Sequence, residues 1–266
     1  GVFNVANINK NNVLEIKNLF LNYHSASSET LAIENMSFDV YQNEFVTIVG
    51  PSGCGKSTFL SVVSGLIKPS GGNVIINSKN NSPQTVGYMF QQDCLFPWKT
   101  IKQNVLLGLE IKNIKNENSE KYALDLIEKY GLGKFLNYYP SQLSGGMRQK
   151  AALIRTLALN PEILLLDEPF SALDYQTRIN ISQEICEIIK NEKKTAVLVT
   201  HDISEAVSLS DRVIIFSSRP SKVKKILNIN FSNPNLSFHE KRKDKKFNEY
   251  FDVIWSELAN EEAKNK

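Results

Sequence analysis

The stretch Glu44-Phe45-Val46-Thr47-Ile48-Val49-Gly50-Pro51-Ser52-Gly53-Cys54-Gly55-Lys56-Ser57 decides the fold of this chain. Its first six residues form a short apolar run, which predicts a buried strand. The pattern Gly-x-x-x-x-Gly-Lys-Ser follows, and its glycines let successive backbone N–H groups converge on phosphate oxygens. Helically spaced apolar residues come next, at Phe59, Leu60, Val63 and Leu66. A strand, a glycine-rich loop and a helix in this order predict a phosphate loop and therefore a nucleotide site.

Three side chains of the phosphate loop have distinct predicted roles. Lys56 is expected to reach the β- and γ-phosphates, Ser57 to ligate Mg²⁺, and Thr58 to hold the α-phosphate. We also expect the loop amides to lower the pKa of the Cys54 thiol, so that a thiol reagent blocks the site. An ordinary glycine-rich turn is the alternative, but it leaves the flanking strand and helix unexplained. The other predicted nucleotide contacts of the loop are Ser52, Gly53, Cys54 and Gly55.

Two carboxylates end a second apolar run. Residues 163–166 read Ile-Leu-Leu-Leu, and Asp167 and Glu168 follow directly. The carboxyl ends of strands are where open parallel sheets bind ligands. Asp167 is therefore predicted in the Mg²⁺ shell, and Glu168 as the general base that polarises the attacking water. Acidic residues that merely end a strand are the alternative, which the phosphate loop makes much weaker.

The segment Leu143-Ser144-Gly145-Gly146-Met147-Arg148-Gln149 lies between these two motifs. A serine and two bare glycines that open a helix form an anion site, which nothing else nearby is expected to need. A second copy of the chain closing over the bound nucleotide would supply the anion. Dimer-gated ATP hydrolysis is the resulting hypothesis.

Apolar periodicity predicts an α/β fold with an inserted helical block. Short apolar runs near the start, at 13–18 and 36–40, suit an antiparallel sheet. Helical spacing dominates from about 92 to 160, and apolar strands then return, so a helical subdomain interrupts a parallel sheet. The predicted ATPase domain spans 13–220, and the predicted C-terminal extension, 221–266, carries one amphipathic helix.

Composition excludes several functional classes. The 31 basic and 28 acidic side chains give a net charge of +3, too even for a nucleic-acid binder. The basic run at 241–246 is expected to be a solvated surface. The N-terminus shows no signal-peptide pattern, and no apolar run approaches the roughly 20 residues of a membrane span. Free thiols in a reducing cytosol are predicted for Cys54, Cys94 and Cys186.

With three further motifs, the chain resembles the nucleotide-binding subunits of ABC transporters from residue 14 to about 220. These motifs are the Q-loop glutamine Gln91 in Met-Phe-Gln, the D-loop Ser-Ala-Leu-Asp at 171–174, and the switch histidine His201 in Thr-His-Asp. All motifs stand in family order. The resemblance implies a P-loop NTPase core of the RecA-like type, with an N-terminal antiparallel β subdomain and an inserted α-helical subdomain.

The resemblance also implies a role for each matching residue. Ser144, Gly145 and Gly146 would contact the γ-phosphate held by the opposite subunit. His201 would contact the γ-phosphate in its own chain and orient Glu168 and water. Gln91 would ligate Mg²⁺ and report the nucleotide state to the helical subdomain. The D-loop residue Asp174 would join the nucleotide-binding set.

An aromatic ring upstream of the phosphate loop would stack on adenine. The family places it at Tyr23, although Phe20 and His24 lie close by in the sequence. Such stacking is weakly specified, because several aromatic side chains can provide it. The alternative is an ordinary aromatic residue packed on the antiparallel sheet.

Two details resemble the ATPases of importers for nitrate, sulfonate and taurine, a group that includes some for thiamine-precursor pyrimidines. They are Leu-Phe-Pro-Trp at 95–98 and Met-Arg inside the signature segment 143–149. Phe96, Pro97 and Trp98 would lie where the membrane subunit docks, with a core tryptophan as an equal alternative. The chain departs from the pattern at Asn43, where a glycine is usual, and at 233–235, which is less basic.

The sequence therefore predicts an ATPase subunit that uses ATP and Mg²⁺. Its predicted partners are a second copy of itself, transmembrane permease subunits and, indirectly, an extracellular solute-binding protein, with no nucleic acid. It would act peripherally at the cytoplasmic face of the cell membrane. The rival is a soluble ABC ATPase not involved in transport, but the long coiled coil or second cassette usual in such machines is absent from the sequence. A small-molecule kinase would leave the signature segment, the D-loop and His201 without a role.

Overall fold

A computed structural model describes residues 11–24, 29–77, 85–233 and 236–264 of the chain. Residues 1–10 lie outside this part, so the structure does not bear on the prediction that the N-terminus lacks a signal peptide. Pro234 and Asn235, in the segment 233–235 that departs from the family pattern, also lie outside it. No helix in the described part is long and apolar enough to span a membrane.

The core is a six-stranded sheet. Five of its strands are parallel, and the sixth, β9 (Val223–Asn228), pairs antiparallel with β8 (Arg212–Phe216) at one edge. The middle strands are buried on both faces, as expected of a sheet covered on two sides. In spatial order the strands are β5 (Val86–Met89), β6 (Ile163–Asp167), β7 (Thr195–Val199), β3 (Phe45–Val49), β8 (Arg212–Phe216) and β9 (Val223–Asn228).

A separate antiparallel sheet has the spatial order β2 (Glu29–Tyr41), β1 (Asn12–His24) and β4 (Gly71–Ile76). Its strands are longer than the apolar runs predict, because the pairing of β1 with β2 continues across irregularities in register. Asn18 and Asn35 stand at φ 47° and 48°, left-handed values that asparagine tolerates better than most residues. The strands are β1 (Asn12–His24), β2 (Glu29–Tyr41) and β4 (Gly71–Ile76).

The backbone conformation at Asn43 explains why asparagine can replace the glycine that is usual there. Asn43 adopts φ 60°, the left-handed conformation for which glycine is the usual choice. Asparagine is the next most tolerant residue there, so the turn into β3 (Phe45–Val49) keeps its shape.

Helices cover the sheets and build the insertion. The predicted helical block contains three helices, α2 (Ile101–Ile111), α3 (Glu117–Lys129) and α4 (Gly145–Leu157). Their apolar faces join one core with β5, β6 and α5 (Tyr175–Asn191). Short 3₁₀ turns stand at Gly133–Phe135 and Pro140–Gln142. The helices are α1 (Lys56–Val63), α2 (Ile101–Ile111), α3 (Glu117–Lys129), α4 (Gly145–Leu157), α5 (Tyr175–Asn191), α6 (Ile203–Leu209), α7 (Phe238–Lys243) and α8 (Lys245–Lys264).

The C-terminal segment holds more structure than the single predicted helix. After residue 220 the chain forms β9 and α7 before α8. β9 is a half-exposed edge strand with lysines in its middle, which weakens its apolar pattern, and α7 is only six residues long. On α8, Phe247 and Ile254 pack into a core shared with α6 and β8. The domain boundary at 220 stays a prediction.

Candidate functional site

The phosphate loop forms one wall of a cavity at the carboxyl edge of the parallel strands. Gly53 and Gly55 adopt φ 73° and 113°, which a side chain would strain. The cavity has a volume of about 380 Å³. It is lined by Ser52, Gly53, Gly55, Lys56, Ser57, Thr58, Glu168, His201 and Arg219.

Lys56 is buried at the base of this cavity. Its Nζ donates hydrogen bonds to the carbonyl oxygens of Gly50 (2.9 Å) and Pro51 (3.1 Å). The ammonium is thus held by the loop itself, with only 7% of the residue exposed. A buried cation whose hydrogen-bond partners are neutral carbonyls favours a phosphate beside it.

Ser57 and Asp167 meet at the predicted Mg²⁺ position. Ser57 Oγ donates to Asp167 Oδ1 over 2.9 Å, and Tyr88 Oη donates to Asp167 Oδ2 over 3.0 Å. Burial, and then the charge of Asp167, raise the pKa of Tyr88, so the phenol keeps its proton and holds the carboxylate in place. The sequence analysis missed Tyr88. Its signal was a polar tip in the strand β5, which pairs with the strand that carries Asp167.

Glu168 and His201 contact each other in the lining of the cavity. The Nδ1 atom of His201 lies 3.1 Å from Glu168 Oε2. Glu168 has φ 45°, a left-handed value that is uncommon for glutamate, and its amide donates to Val199 O over 2.9 Å. The turn after β6 thereby directs the carboxylate toward the residue that follows β7. Both side chains remain accessible to water from the cavity.

The predicted Q-loop and D-loop residues touch each other. Gln91 Nε2 donates to Ser171 Oγ (3.0 Å), and Ser171 Oγ donates to Glu168 O (3.0 Å). Asp174 accepts from Thr177 N and caps α5, and hydrogen bonds at this cap lower the pKa of its carboxyl. Gln91 therefore connects to the backbone of Glu168 through one serine.

The signature residues lie apart from the cavity of their own chain. Ser144 caps α4 by accepting from Met147 N (3.3 Å), and it is exposed. None of Ser144, Gly145 and Gly146 is among the described residues that line the cavity. Gly146 also lies close to a neighbouring helix, a role that the sequence analysis did not address. A Cβ there would lie 2.6 Å from side-chain atoms of Ile181, so close packing on α5 also requires glycine.

Tyr23 lies beside the start of α1. Its hydroxyl donates to Thr58 Oγ1 over 3.3 Å, and 40% of the residue is exposed. Phe20 packs instead against Gly71, at the edge of the antiparallel sheet. The structure does not describe the side chain of His24. Of the two described aromatic residues, Tyr23 contacts a residue of the phosphate-loop helix.

The expectation for the Cys54 thiol is wrong. Cys54 is 2% exposed, and burial raises its pKa despite the nearby charge of Lys56. A buried thiol with a raised pKa is a poor nucleophile. Cys94 is exposed, whereas burial raises the pKa of Cys186 to about 11. A thiol reagent therefore meets Cys94 first.

Trp98 lies on the surface, so the alternative interpretation of a tryptophan buried in the core is wrong. It is 69% exposed, Phe96 is 38% exposed, and their ring centroids lie 5.3 Å apart. Beneath them, Asn104 fixes the loop backbone by accepting from Phe96 N (2.7 Å) and donating to Phe96 O (3.1 Å). The loop is thus held firmly while it presents two aromatic rings to the solvent.

Comparisons with known proteins establish the class of this protein. The ABC transporter family profile matches residues 33–171. The chain is 44% identical to the uncharacterized ABC transporter ATP-binding protein YtlC of Bacillus subtilis, over 95% of this chain and 98% of that protein. It is 38% identical to the aliphatic sulfonates import ATP-binding protein SsuB of Bacillus cereus, over 83% and 90% of the two chains.

A solved structure agrees with the sequence relatives. The dimeric, post-hydrolysis structure of the ATP-binding cassette MJ0796 bound to ADP and Pi has a TM-score of 0.68 and 33% identity. The match covers 82% of this chain and 99% of that one. The chain belongs to the ABC transporter family. It is an ATP-binding cassette that hydrolyses ATP, with the P-loop core and antiparallel β subdomain that the sequence predicted.

Proposed function

We propose that this chain powers an ABC importer for a small solute by closing as a homodimer around two MgATP. One observation carries the proposal. Lys56, Glu168 and His201 line a single cavity, whereas Ser144 opens α4 away from it. The chain therefore has a phosphate site, but the serine predicted to contact the γ-phosphate lies outside that site. One chain would then supply only half of a complete ATP site. A second copy would complete it.

Nucleotide binding would use the phosphate loop and Tyr23. The amides of residues 52–58 would surround the phosphates, and Lys56 would turn from its two carbonyl partners toward the β- and γ-phosphates. Thr58 would hold the α-phosphate. The ring of Tyr23, exposed next to Thr58, is the surface on which adenine would stack.

The donor set next to the phosphate loop fits Mg²⁺. The Ser57 hydroxyl and the Asp167 carboxylate already lie 2.9 Å apart, and both are oxygen ligands of the kind this ion prefers. The Gln91 amide would add a third. In the described ranges, no group of three or more His, Cys, Asp or Glu could hold a metal. Phosphates and water commonly complete the ligand shell of Mg²⁺. When bound, Mg²⁺ would neutralise charge on the phosphates.

Hydrolysis would depend on Glu168 and His201. Glu168 would accept a proton from water aimed at the γ-phosphate, so that oxygen attacks phosphorus as the bond to ADP breaks. His201 would hold the γ-phosphate and keep the Glu168 carboxylate in position, as the 3.1 Å contact between them suggests. The Gln91–Ser171–Glu168 connection would report to the helical subdomain whether the γ-phosphate is present.

The dimer would place Ser144, Gly145 and Gly146 of each chain on the γ-phosphate of the other. The dimeric form of MJ0796, a relative at 33% identity, supports this arrangement. The anion would meet free N–H groups at the start of α4, where the helix dipole also favours negative charge. The D-loop, with Asp174, would lie at the same interface.

Transport is proposed from the relatives and from the Phe96–Trp98 surface. SsuB is an import ATPase for aliphatic sulfonates, which favours a small anion such as sulfonate, taurine or nitrate as the solute. Permease subunits would dock on Trp98 at the cytoplasmic face of the membrane, fed by an extracellular solute-binding protein. A soluble ABC ATPase is the alternative, and copurification with a polytopic membrane partner would distinguish the two.

Two variants test the composite site. Lys56→Ala removes the cation inside the cavity, so the chain should lose most of its ATP affinity in calorimetric titration and most of its turnover. Ser144→Arg should retain ATP affinity as a monomer but block dimer closure and hydrolysis. Equal loss of ATP affinity in both variants would show that Ser144 does not act across the dimer.

A further inference from the structure

We infer that Arg219 is a second cation of the nucleotide cavity and binds the terminal phosphates of ATP. The inference rests on the proposed nucleotide site, and it adds a residue outside every motif of the sequence analysis. Arg219 lines the cavity together with Lys56 and His201. Its Nη2 atom donates to Gly53 O, inside the phosphate loop, over 3.1 Å.

The order of the strands places Arg219 there. The phosphate loop follows β3, which lies between β7 and β8 in the sheet. His201 follows β7, and Arg219 follows β8, so the two residues approach the same loop from opposite sides. In a parallel sheet, both strand ends open on the edge where ligands bind. Arg219 is therefore the counterpart of His201 on the other flank of the loop.

The turn that carries Arg219 is held on both sides. Before it, Ser217 Oγ donates to Ser218 O (2.9 Å), and Ser218 N donates to Glu261 Oε2 on α8 (2.9 Å). After it, Ser221 N donates to Ala32 O on β2 (2.9 Å). Two sheets and the last helix thus fix the backbone beside an exposed guanidinium. A fixed backbone with an accessible side chain is how a site positions a ligand-binding group.

Among the described residues, no carboxylate neutralises the charge of Arg219, which donates instead to the backbone carbonyl of Gly53. Lys222, three residues later, has an ion pair with Glu34 at 3.1 Å. A carbonyl is a weaker partner for guanidinium than phosphate, which arginine binds through parallel N–H groups. Lys56 rests on loop carbonyls in the same way. Both cations would exchange these carbonyls for phosphate oxygens.

The test compares Arg219→Ala with the matched control Lys222→Ala, which removes the same charge three residues away. Titrations use ATP and AMP with EDTA present, so that hydrolysis is suppressed. Arg219→Ala should weaken ATP binding about ten-fold, as expected for loss of a charged hydrogen bond, and AMP binding by less than about two-fold. Lys222→Ala should match the wild type for both nucleotides, and Arg219→Lys should recover part of the ATP affinity.

The other results overturn the inference in separable ways. An unchanged ATP affinity in Arg219→Ala, or an equal loss for AMP, would mean that Arg219 does not bind the terminal phosphates. An equal loss of ATP affinity in Lys222→Ala would show that the effect comes only from the change in net charge. A melting temperature that falls only in Arg219→Ala, in parallel with the affinity, would assign Arg219 to loop stability. Failure of the wild-type chain to bind ATP would instead refute the proposed nucleotide site.

Discussion

Glu168 combines a strained backbone with a water-accessible carboxylate. Its φ of 45° is held by the bond from its amide to Val199 O and by two bonds that its own carbonyl accepts from Ser171. Such over-determined strain is common where a catalytic group must face a ligand. The turn leaves Oε2 free to face both His201 and the cavity.

Glu168→Gln should separate binding from hydrolysis. The amide keeps the size of the carboxylate but cannot accept the proton of water, so turnover should fall by about a hundred-fold or more while ATP affinity stays unchanged. ATP should then accumulate in a stable dimer, visible by gel filtration. Glu187→Gln, on the exposed side of α5, is the matched control and should behave as the wild type. Wild-type turnover in Glu168→Gln would refute the general-base assignment.

Glu205 should make stability depend on pH. It is buried behind His201, and burial raises its pKa from 4.5 to about 7, with the charge of Asp202 adding to the rise. A hydrogen bond from Thr200 and the charges of Arg178 and Arg242 oppose it. Below pH 4.5 the Glu205 carboxyl is protonated in both the folded and the unfolded states, so it does not reduce the free energy of unfolding. Between pH 4.5 and 7 only the unfolded state ionises, and stability falls by about 3 kcal/mol.

Glu205→Gln should remove this loss. The neutral amide has no proton to release, so the variant should gain stability relative to the wild type as pH rises from 5 to 8. Urea unfolding at both pH values measures the difference, and the other titrating groups cancel in the comparison. A stability difference between variant and wild type that is the same at pH 5 and pH 8 would show that the pKa of Glu205 is not raised.

How well each strand could be predicted from the sequence depends on how deeply the strand is buried. The strands that end at the site were readable because both of their faces are buried, which makes β3, β6 and β8 nearly continuous apolar runs. The edge strand β9 escaped prediction, because half-exposed strands mix lysine with apolar residues. The positions of the motif residues could be read from spacing. The position of Arg219 could not be read in this way, and the polar tip of Tyr88 did not reveal its partner, because only the order of strands in the sheet brings these residues to the site.

Gly146 shows that a helix start can serve packing as well as ligand binding. Gly146→Ala would place a Cβ 2.6 Å from Cδ1 and Cγ1 of Ile181, between α4 and α5. We expect this overpacking to cost about 1–3 kcal/mol of unfolding free energy. Ile181→Val should relieve part of the cost, so the double variant should lose less than the sum of the two single ones. Additive losses in denaturant unfolding would contradict the contact.

Across the whole molecule, one segment joins the cavity, the signature helix and the exposed aromatic pair. Residues 91–98 begin at Gln91 and end at Trp98. Arg148 and Arg155, both on α4, hold the segment between them: Arg148 Nε donates to Asp93 Oδ2 (3.0 Å), and Arg155 donates to Asp93 O (2.8 Å). If α4 shifts on the proposed dimer closure, the proposed docking surface should move with it, which would give ATP a physical route to the proposed permease.

Trp98→Ala should uncouple the transporter without damaging the ATPase. Because Trp98 is 69% exposed, truncation should cost well under the 3–5 kcal/mol of a buried tryptophan, and basal turnover of the isolated chain should stay near that of the wild type. In the assembled transporter, solute-stimulated turnover should fall, because an exposed aromatic pair is typical of a partner site. Trp255→Ala, at a tryptophan 60% exposed on α8, removes the same side chain elsewhere and should leave stimulation intact. If both variants lose stimulation equally, or neither does, the 91–98 segment is not the route by which ATP hydrolysis reaches the membrane subunit.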